Sequence, residues 1–269
     1  MRNPLIKRLP RELKAEFGKY LVLFVFIAGM ISIISGFLVA GTSMSAAYDE
    51  SFEKYNIEDG NFELAFEADA GLLSELEAEA VTIYKNFYVE EETVEIDSTL
   101  RVFIDREEVN KVCLMEGKMP ENADEIAIDR LYASNNGIAA GDTLTVGDTK
   151  FTVSGMVALS DYSCLYQSTS DMIFDATLFG VAVVTEEGFE ELGEEHLHYS
   201  YSWKYNNVPA DDTEAKEMAE DFLEILTGKA LVTNFIPKYV NQAIIFAGND
   251  IGRDSMFVVL LLYIVMAII

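Results

Sequence analysis

An uninterrupted run of 21 uncharged residues at positions 20–40, YLVLFVFIAGMISIISGFLVA, constrains this chain more than any other feature. As an α-helix the run reaches about 31 Å, which matches the hydrocarbon core of a bilayer. A secretory signal peptide is the alternative, but its apolar segment is normally about 7–15 residues long. Small residues that leave a cleavage site open lie at the end of the run and just after it, at Ala40, Gly41, Ser43 and Ser45. We therefore expect a transmembrane helix over residues 20–41.

A second apolar run, MFVVLLLYIVMAII, occupies residues 256–269. Its 14 residues would span only about 21 Å as a helix, which is short of a bilayer. We interpret residues 256–269 as the start of a second transmembrane helix. The chain is then expected to be a fragment that ends inside this helix.

The residues that precede the first apolar run are basic. Residues 1–19 contain six Lys or Arg and two Glu, and the positive-inside rule places such a segment in the cytoplasm. Apolar residues recur at helical spacing, at Leu5, Ile6, Leu9, Leu13 and Phe17. Residues 1–19 are therefore expected to form a basic amphipathic helix. Three roles remain open for it: lying in the membrane interface, setting the topology only, or docking a cytoplasmic partner.

The charge of the chain is strongly asymmetric. It has 46 Asp and Glu against 19 Lys and Arg, a net charge of −27, and a mean hydropathy of +0.15. Residues 42–255 have 13 basic and 44 acidic residues, a net −31. A charge of this sign repels phosphate backbones, so nucleic acid is not expected as a partner. It keeps an exposed domain soluble, and it would also attract cationic ligands.

Residues 42–255 mix strand and helix signals without regular alternation, which is typical of an α+β fold. Apolar alternation predicts strands at 61–67, 81–89, 99–105, 125–128, 143–146, 150–157, 180–185 and 197–205. Gly147 and Asp148 predict a tight hairpin turn with Leu144 and Val146 on one face. Helices are expected after the capping residues Asp69, Asp129 and Asp211. The first would bury Leu72, Leu73, Leu76 and Ala80, the second would stop at Gly137, and the third would bury Ala215, Met218, Phe222, Ile225 and Leu226 before Gly228.

The residues that carry catalytic chemistry are sparse. No Gly-Lys pair has the upstream glycine and following Ser or Thr of a phosphate-binding loop, and no nucleophile elbow is present. His196 and His198 are the only histidines, and on a strand they would share a face. A metal site there would need two further ligands, so exposed histidines are the default interpretation. We therefore assign no catalytic, cofactor-binding or metal residues, and we expect no enzyme activity and no cofactor.

Three further features have a functional and a structural interpretation. The aromatic ladder Leu197, Tyr199, Tyr201, Trp203 and Tyr205 would contact a partner or form a buried strand face, and we favour the buried face. Cys113 and Cys164 are permitted to form a disulfide outside the cytoplasm, but their separation in sequence does not establish proximity. The run Glu90-Glu91-Glu92 lacks the spacing of a calcium loop and predicts a solvated surface.

Residues 116–157, EGKMPENADEIAIDRLYASNNGIAAGDTLTVGDTKFTVSGMV, resemble the extracytoplasmic core domain of FtsX/MacB-like ABC-transporter permeases. Those domains carry the elements G-R-x-P, n-E-I-a-i, G-D-x-v/l and f-x-V-x-G in that order, and Lys118 stands here where Arg is usual. The layout of a basic segment, one span and a large domain also fits. The matching positions are Gly117, Pro120, Glu125, Ile126, Ala127, Ile128, Gly141, Asp142, Phe151, Val153 and Gly155.

The resemblance implies a division of labour between chains. A separate cytoplasmic ATPase would dimerise on ATP, and a permease dimer would transmit that motion through the bilayer to an α+β extracytoplasmic domain at 42–255, tethered by transmembrane α-helices. Members of this family export peptides, antibiotics or lipoproteins, or regulate extracellular enzymes. The ATPase docks chiefly on the loop after the second span, which this chain lacks, so the chain alone is not expected to couple to ATP. The protein would be a multi-pass protein of the cell membrane.

Two other classes of protein fit the same layout. One is a membrane-tethered extracellular sensor or binding domain with no transport role. The other is a membrane-anchored structural or adhesion protein. The sequence that follows residue 269 would distinguish them, because a permease continues into further spans and a sensor continues into signalling helices.

Overall fold

The structure is a computed structural model that describes residues 11, 12 and 14–268. The amphipathic pattern expected for residues 1–19 falls largely outside these residues, including Leu5, Ile6, Leu9 and Leu13. The first long helix, α1 (Phe17–Lys54), contains the apolar run. Among the described residues it is the one helix long and apolar enough to cross a membrane.

Helix α1 presents its apolar side chains outward. Ile34 is buried, whereas Phe24 and Val39 are 69% and 66% exposed. An apolar surface of this kind requires cover, and lipid supplies it for a spanning helix. The helix also continues to Lys54, beyond the boundary expected at residue 41. Residues 42–54 contain no Gly or Pro, so nothing in their local sequence ends the helix.

The chain divides into two compact units. One comprises residues 1–48 and 248–269, and the other, the folded domain, comprises residues 49–247. The elements after α1 are β1 (Gly60–Leu64), α2 (Ala70–Glu77), β2 (Val81–Lys85), β3 (Tyr88–Thr93), β4 (Ser98–Ile104), β5 (Val112–Gly117), β6 (Glu125–Asp129), α3 (Arg130–Asn136), β7 (Thr143–Val146), β8 (Thr149–Leu159), β9 (Phe179–Val184), α4 (Glu186–Leu192), β10 (Leu197–Tyr205), α5 (Asp212–Lys229), β11 (Val232–Pro237), a 3₁₀ turn (Lys238–Val240) and α6 (Gln242–Ile268).

In the first unit, α1 and α6 pack closely against each other. A Cβ added at Gly248 would lie 2.5 Å from the ring of Tyr48, and one at Gly41 would lie 3.1 Å from Ser255 Oγ. Small residues at these positions therefore allow the two helices to approach. Helix α6 begins at Gln242, well before the boundary expected at residue 256.

The strands of the folded domain form a mixed sheet in the order β11-β1-β10-β3-β4-β9-β6-β8-β5. The pairs β4–β9 and β6–β8 are parallel, and the other pairs are antiparallel. Strand β10 joins two parts of the sheet, because Leu197 and His198 pair with β3 while Tyr199 to Tyr205 pair with β1 and β2. The α+β class with mixed strands and short helices is therefore confirmed.

Each part of the sheet has its own hydrophobic core. We call β1, β2, β10 and β11 with α2 and α5 the small half, and β3 to β9 with α3 and α4 the large half. The small half packs around the aromatic residues Phe62, Tyr201, Trp203 and Phe222. The large half packs around apolar side chains such as Val102, Ile126, Phe151 and Val183. Two cores in one domain leave a boundary at which the halves meet.

Several local predictions are confirmed. Strands β7 and β8 form the hairpin, with Gly147 in the left-handed region at φ 58°, and Leu144 and Val146 are buried. Asp69, Asp129 and Asp211 each accept backbone N–H groups at the start of their helices, and α3 ends at Gly137. These features depend on side chains only a few residues apart, so local sequence is sufficient to specify them.

Other local predictions are wrong. The expected strand 81–89 is two strands, because the chain leaves β10 at Asn86 and pairs with β4 from Tyr88. Helix α2 ends at Glu77, and Ala80 lies outside it with φ 63°. In α5 the buried alanine is Ala219 and the helix runs past Gly228 to Lys229. Strands β5 and β11 were not expected; both lie at sheet edges, where burial does not alternate.

Candidate functional site

The motif of residues 116–157 specifies a close contact between two strands. Gly117 of β5 pairs with Gly155 of β8. A Cβ at Gly155 would lie 2.5 Å from Lys118 O and 2.6 Å from Glu116 O, and one at Gly117 would lie 2.5 Å from Ser154 O. Only glycine fits at both positions without movement of the backbone. The two glycines of the motif therefore have one structural role.

The charged residues of the motif also contact each other. Lys118 Nζ lies 2.7 Å from Glu125 Oε1, and Glu125 Oε2 accepts the N–H of Glu121 at 2.8 Å. The hydrogen bond from Lys118 lowers the pKa of Glu125 to about 2. Asp142 closes the next turn by accepting the N–H of Ala139 at 2.8 Å. These motif residues shape turns, so the motif specifies local structure.

The segments that follow α1 and precede α6 are fastened to each other by Asp59. Its carboxylate accepts Lys238 Nζ at 2.7 Å and the N–H of Tyr205 at 3.0 Å, and Lys204 Nζ lies 3.6 Å away. Strands β1 and β11 continue this contact, with Gly60 opposite Pro237. Burial lowers the pKa of Lys204, and Asp59 offsets this only in part. We call Asp59, Lys204 and Lys238 the clamp.

Beside the clamp, Glu58 is buried in a network of polar side chains. Ser202 Oγ donates to Glu58 Oε2 at 2.5 Å, Asn110 Nδ2 donates to it at 2.7 Å, and Asn61 Nδ2 donates to Oε1 at 2.5 Å. Asn110 comes from the loop after β4 in the large half, whereas Ser202 lies on β10. Burial raises the pKa of Glu58, and the nearby Asp161 carboxylate adds to this effect.

A buried ion pair extends the network into the large half. Arg106 donates two hydrogen bonds to Asp161, both at 2.7 Å, and the two side chains are 6% and 5% exposed. Arg106 Nη1 also contacts Asn86 Oδ1 at 3.2 Å, and Asn86 Nδ2 donates to Ser202 Oγ at 3.1 Å. We call Glu58, Asn86, Arg106, Asn110, Asp161 and Ser202 the polar seam. It joins the halves through buried, geometrically specific hydrogen bonds.

Two loops of the large half hold the segments at the ends of the domain. The loop after β4 donates the N–H of Asn110 to Asn56 O at 3.1 Å and the N–H of Lys111 to Tyr55 O at 2.9 Å. The loop after β8 donates Ser163 Oγ to Ala243 O at 2.7 Å. In that second loop Tyr166 and Phe174 pack on Phe246, with ring centroids 5.6 and 6.0 Å apart from it.

A cavity of about 160 Å³ opens beside the polar seam and is lined by residues of both halves. Arg101 occupies one wall, where it donates to Glu90 Oε1 and to the hydroxyl of Tyr162 at 2.6 Å. Its guanidinium lies 4.4 Å from the ring centroid of Tyr88. Burial raises the pKa of Tyr162 to about 12, so this hydroxyl stays protonated.

The histidines are not brought together on one ligand site. His196 precedes β10, and its Nδ1 lies 2.8 Å from Glu91 Oε1. His198 Nδ1 lies 3.3 Å from Glu63 Oε2, and its ring stacks on Tyr88. The hydrogen bond to Glu91 raises the pKa of His196. Within residues 11–268, position 13 aside, no group of three or more His, Cys, Asp or Glu is placed to hold a metal ion.

The aromatic ladder is buried, and the two cysteines are not bonded to each other. Tyr201 and Trp203 are fully buried, so the favoured interpretation of a buried strand face is confirmed. Neither Cys113 nor Cys164 is in a disulfide. In the run 90–92, Glu90 binds Arg101 and Glu91 binds His196.

The sequence analysis missed the clamp and the polar seam. One available signal was the scarcity of basic residues, because only 13 lie among residues 42–255. A rare cation in an acidic domain is a candidate for a specific partner, as Arg106 and Lys238 prove to be. The other signal was the alternation of His198, Ser200 and Ser202 with the aromatic ladder on β10, which marks a polar face.

No protein-family model and no curated protein matches this sequence. Among solved structures, the chain is similar to the periplasmic region of MacB from Actinobacillus actinomycetemcomitans, at 13% identity and a TM-score of 0.38, covering 66% of this chain and 87% of that chain. It is also similar to the extracellular domain of the noncanonic ABC-type transporter YknZ from Gram-positive bacteria, at 11% identity and a TM-score of 0.35, covering 65% and 100%. The first of these is a periplasmic region and the second an extracellular domain.

Proposed function

We propose that this chain is the permease subunit, or its N-terminal part, of an FtsX/MacB-like ABC transporter. In this function a separate cytoplasmic ATPase drives the transmembrane helices of a permease dimer. The folded domain then lies outside the cytoplasm and converts helix movement into export or into regulation of an extracellular partner. The N-terminus is cytoplasmic and the protein is a multi-pass protein of the cell membrane.

The observation that carries the proposal is the clamp. A domain that transmits movement must receive it through the segments by which the chain enters and leaves it. In this protein the segment after α1 and the segment before α6 are bound to each other by the clamp. Asp59 holds Lys238 across 179 positions of sequence, and β1 pairs with β11 directly beyond it. A displacement of either segment is therefore passed to the small half of the sheet.

The polar seam supports the same function. It joins the small half to the large half through hydrogen bonds that need specific geometry, such as the two from Arg106 to Asp161. Hydrogen-bond and salt-bridge networks with two discrete arrangements carry coupling between distant sites in other proteins. The domain thus has three features that suit a coupling module. The clamp binds the entering and leaving segments together, the polar seam joins the halves, and each half has its own core.

The test uses the protein in nanodiscs together with an ABC ATPase whose gene neighbours its own. We expect the two to co-purify. Spin labels at Phe66 and Val94, which lie in different halves and are 75% and 70% exposed, would report their separation in a cysteine-free background. We expect the distance distribution to shift between the nucleotide-free and ATP-trapped complexes.

A matched pair of variants distinguishes loss of the ATP-dependent movement from loss of binding to the ATPase. Lys238→Glu places a second negative charge at Asp59 and should abolish the ATP-dependent shift while the ATPase still co-purifies. Lys216→Glu, at an exposed position on α5, should leave the shift intact. Failure of the ATPase to bind, or an unchanged distance in the native complex, would exclude the transporter function and favour a tethered sensor.

A further inference from the structure

The cavity beside the polar seam is a candidate ligand site because it is polar, enclosed by both halves and large enough. Its volume of about 160 Å³ holds on the order of ten waters. Glu63 and Ser200 line it from the small half, and Arg101, Asp161 and Tyr162 line it from the large half. A ligand in this space would therefore contact both halves at once.

One serine hydroxyl in the wall of the cavity is open to a ligand. Ser200 is 4% exposed, and among the described residues its hydroxyl makes no hydrogen bond. Its neighbour on the same face of β10, Ser202, is fully bonded to Glu58 and Asn86. Ser200 therefore differs from Ser202 in having no partner for its hydroxyl among the described side chains.

The charge of the wall selects the kind of ligand. Three carboxylates line the cavity, Glu58, Glu63 and Asp161, and one guanidinium does, that of Arg101. Asp161 is also paired with Arg106, so Glu58 and Glu63 are the carboxylates without an arginine partner. Arg101 already donates to Glu90, Tyr162 and the carbonyl of Gln167. Each carboxylate oxygen has two lone pairs, so hydrogen-bond acceptors remain in the wall. An anion is disfavoured, and a ligand that donates hydrogen bonds is favoured.

The aromatic walls favour a positive charge on that ligand. The rings of Tyr88, Phe103 and Tyr162 line the cavity beside the carboxylates. Ring faces attract ammonium groups, and the attraction is stronger where water is excluded. We propose that this cavity binds a small organic ammonium compound of about ten heavy atoms or fewer, with Ser200 accepting a hydrogen bond from it.

The test is a binding measurement on the full chain purified in detergent, without any ATPase. The probes are ethanolamine, putrescine and glucosamine at millimolar concentration, with ethylene glycol, succinate and glucose as counterparts without the amine. Binding is followed by calorimetry and by the fluorescence of Trp203, the only tryptophan. We expect at least one amine to bind and its counterpart not to bind. The highest amine concentration is about 10 mM, which corresponds to the weakest affinity of interest. If none of the three amines binds at that concentration, the proposal is overturned.

Variants locate the binding. Ser200→Val fills the cavity and removes the hydroxyl, and should weaken amine binding at least tenfold. Asn234→Ala, at the exposed rim of the cavity, should weaken it severalfold and keeps the test decisive if Ser200→Val does not fold. Ser74→Ala, an exposed serine of α2, should leave it unchanged. Equal binding by the native protein and both cavity variants, or equal binding of amines and counterparts, overturns the proposal. Because the ATPase is absent, the result is independent of the transporter function.

Discussion

At the scale of single residues, the motif glycines show how a sequence signature encodes backbone proximity. Gly117 and Gly155 face each other where β5 and β8 meet, and neither leaves room for a Cβ. Neighbouring polar residues of the motif, Lys118 and Glu125, fasten the loop that follows. The motif therefore specifies the close pairing of β5 with β8. From sequence alone it indicates only turns and strands.

Gly155→Ala tests this role. The added Cβ would meet two backbone oxygens, so we expect a destabilisation of about 1–3 kcal/mol. Gly228→Ala is the control, because nothing lies within 4 Å of a Cβ there and the site is near the end of α5. The control should be neutral or stabilising by up to about 1 kcal/mol. Thermal unfolding followed by Trp203 fluorescence measures both, and equal stabilities would contradict the assignment.

Glu58→Gln tests the buried carboxylate. Burial raises the pKa of Glu58 above its ordinary value of 4.5, so the folded state disfavours the ionised form. The cost of ionisation is absent below pH 4.5 and grows as pH rises towards the folded pKa. Glutamine does not ionise. Unfolding measured at pH 5 and pH 8 should therefore show the variant gaining stability relative to the native protein as pH rises.

The control for this prediction is Glu79→Gln, an exposed position just after α2. Its stability relative to the native protein should be the same at both pH values. A difference between native protein and Glu58→Gln that does not change with pH would show that burial does not disfavour the charge.

At the scale of elements, β10 organises the domain by having two chemically distinct faces. Tyr201 and Trp203 on one face form the core of the small half, whereas Ser200 and Ser202 on the other line the cavity and the seam. The same strand changes partner from β3 to β2 along its length. One strand thus supplies a core, a polar boundary and the connection between the halves.

Asp59→Asn tests the clamp between β1 and β11. The change leaves Lys238 and Lys204 next to a neutral amide, so we expect a loss of about 1–3 kcal/mol, reduced from the cost of a fully buried pair because both lysines are partly exposed. Glu67→Gln is the control. It removes an ion pair with Lys85 whose partners are both about half exposed, and it should change stability by less than about 1 kcal/mol. Equal effects of the two changes would show that the clamp is an ordinary surface contact.

At the scale of the whole molecule, charge and hydropathy are separated along the chain. The exposed apolar surface of α1 requires lipid, and the acidic folded domain requires water. With six basic residues before the apolar run, the expected topology is N-terminus inside and folded domain outside.

Cysteine labelling of intact cells tests this topology. Val94→Cys in a background without other cysteines places a thiol at a position that is 70% exposed, and it should react with a membrane-impermeant maleimide. Lys14→Cys should react only after the membrane is opened. The reverse pattern would show that the folded domain is cytoplasmic.

The sequence by itself determined the features that depend on near neighbours or on bulk composition. These are the apolar helix, the three aspartate caps, the hairpin at Gly147 and the buried aromatic face of β10. Each follows from periodicity, capping or turn chemistry within a few residues. The edge strands β5 and β11 lacked such a pattern, since they are held in place by pairing with strands remote in sequence.

Only the tertiary structure decided which polar residues meet. Glu58 and Ser202 are 144 positions apart, Arg106 and Asp161 are 55 apart, and Asp59 and Lys238 are 179 apart. In sequence these side chains are indistinguishable from the many acidic and basic residues on the surface. The fold selects them because it buries these charges and amides where the two cores meet, and a buried polar group is stable only with its partner beside it.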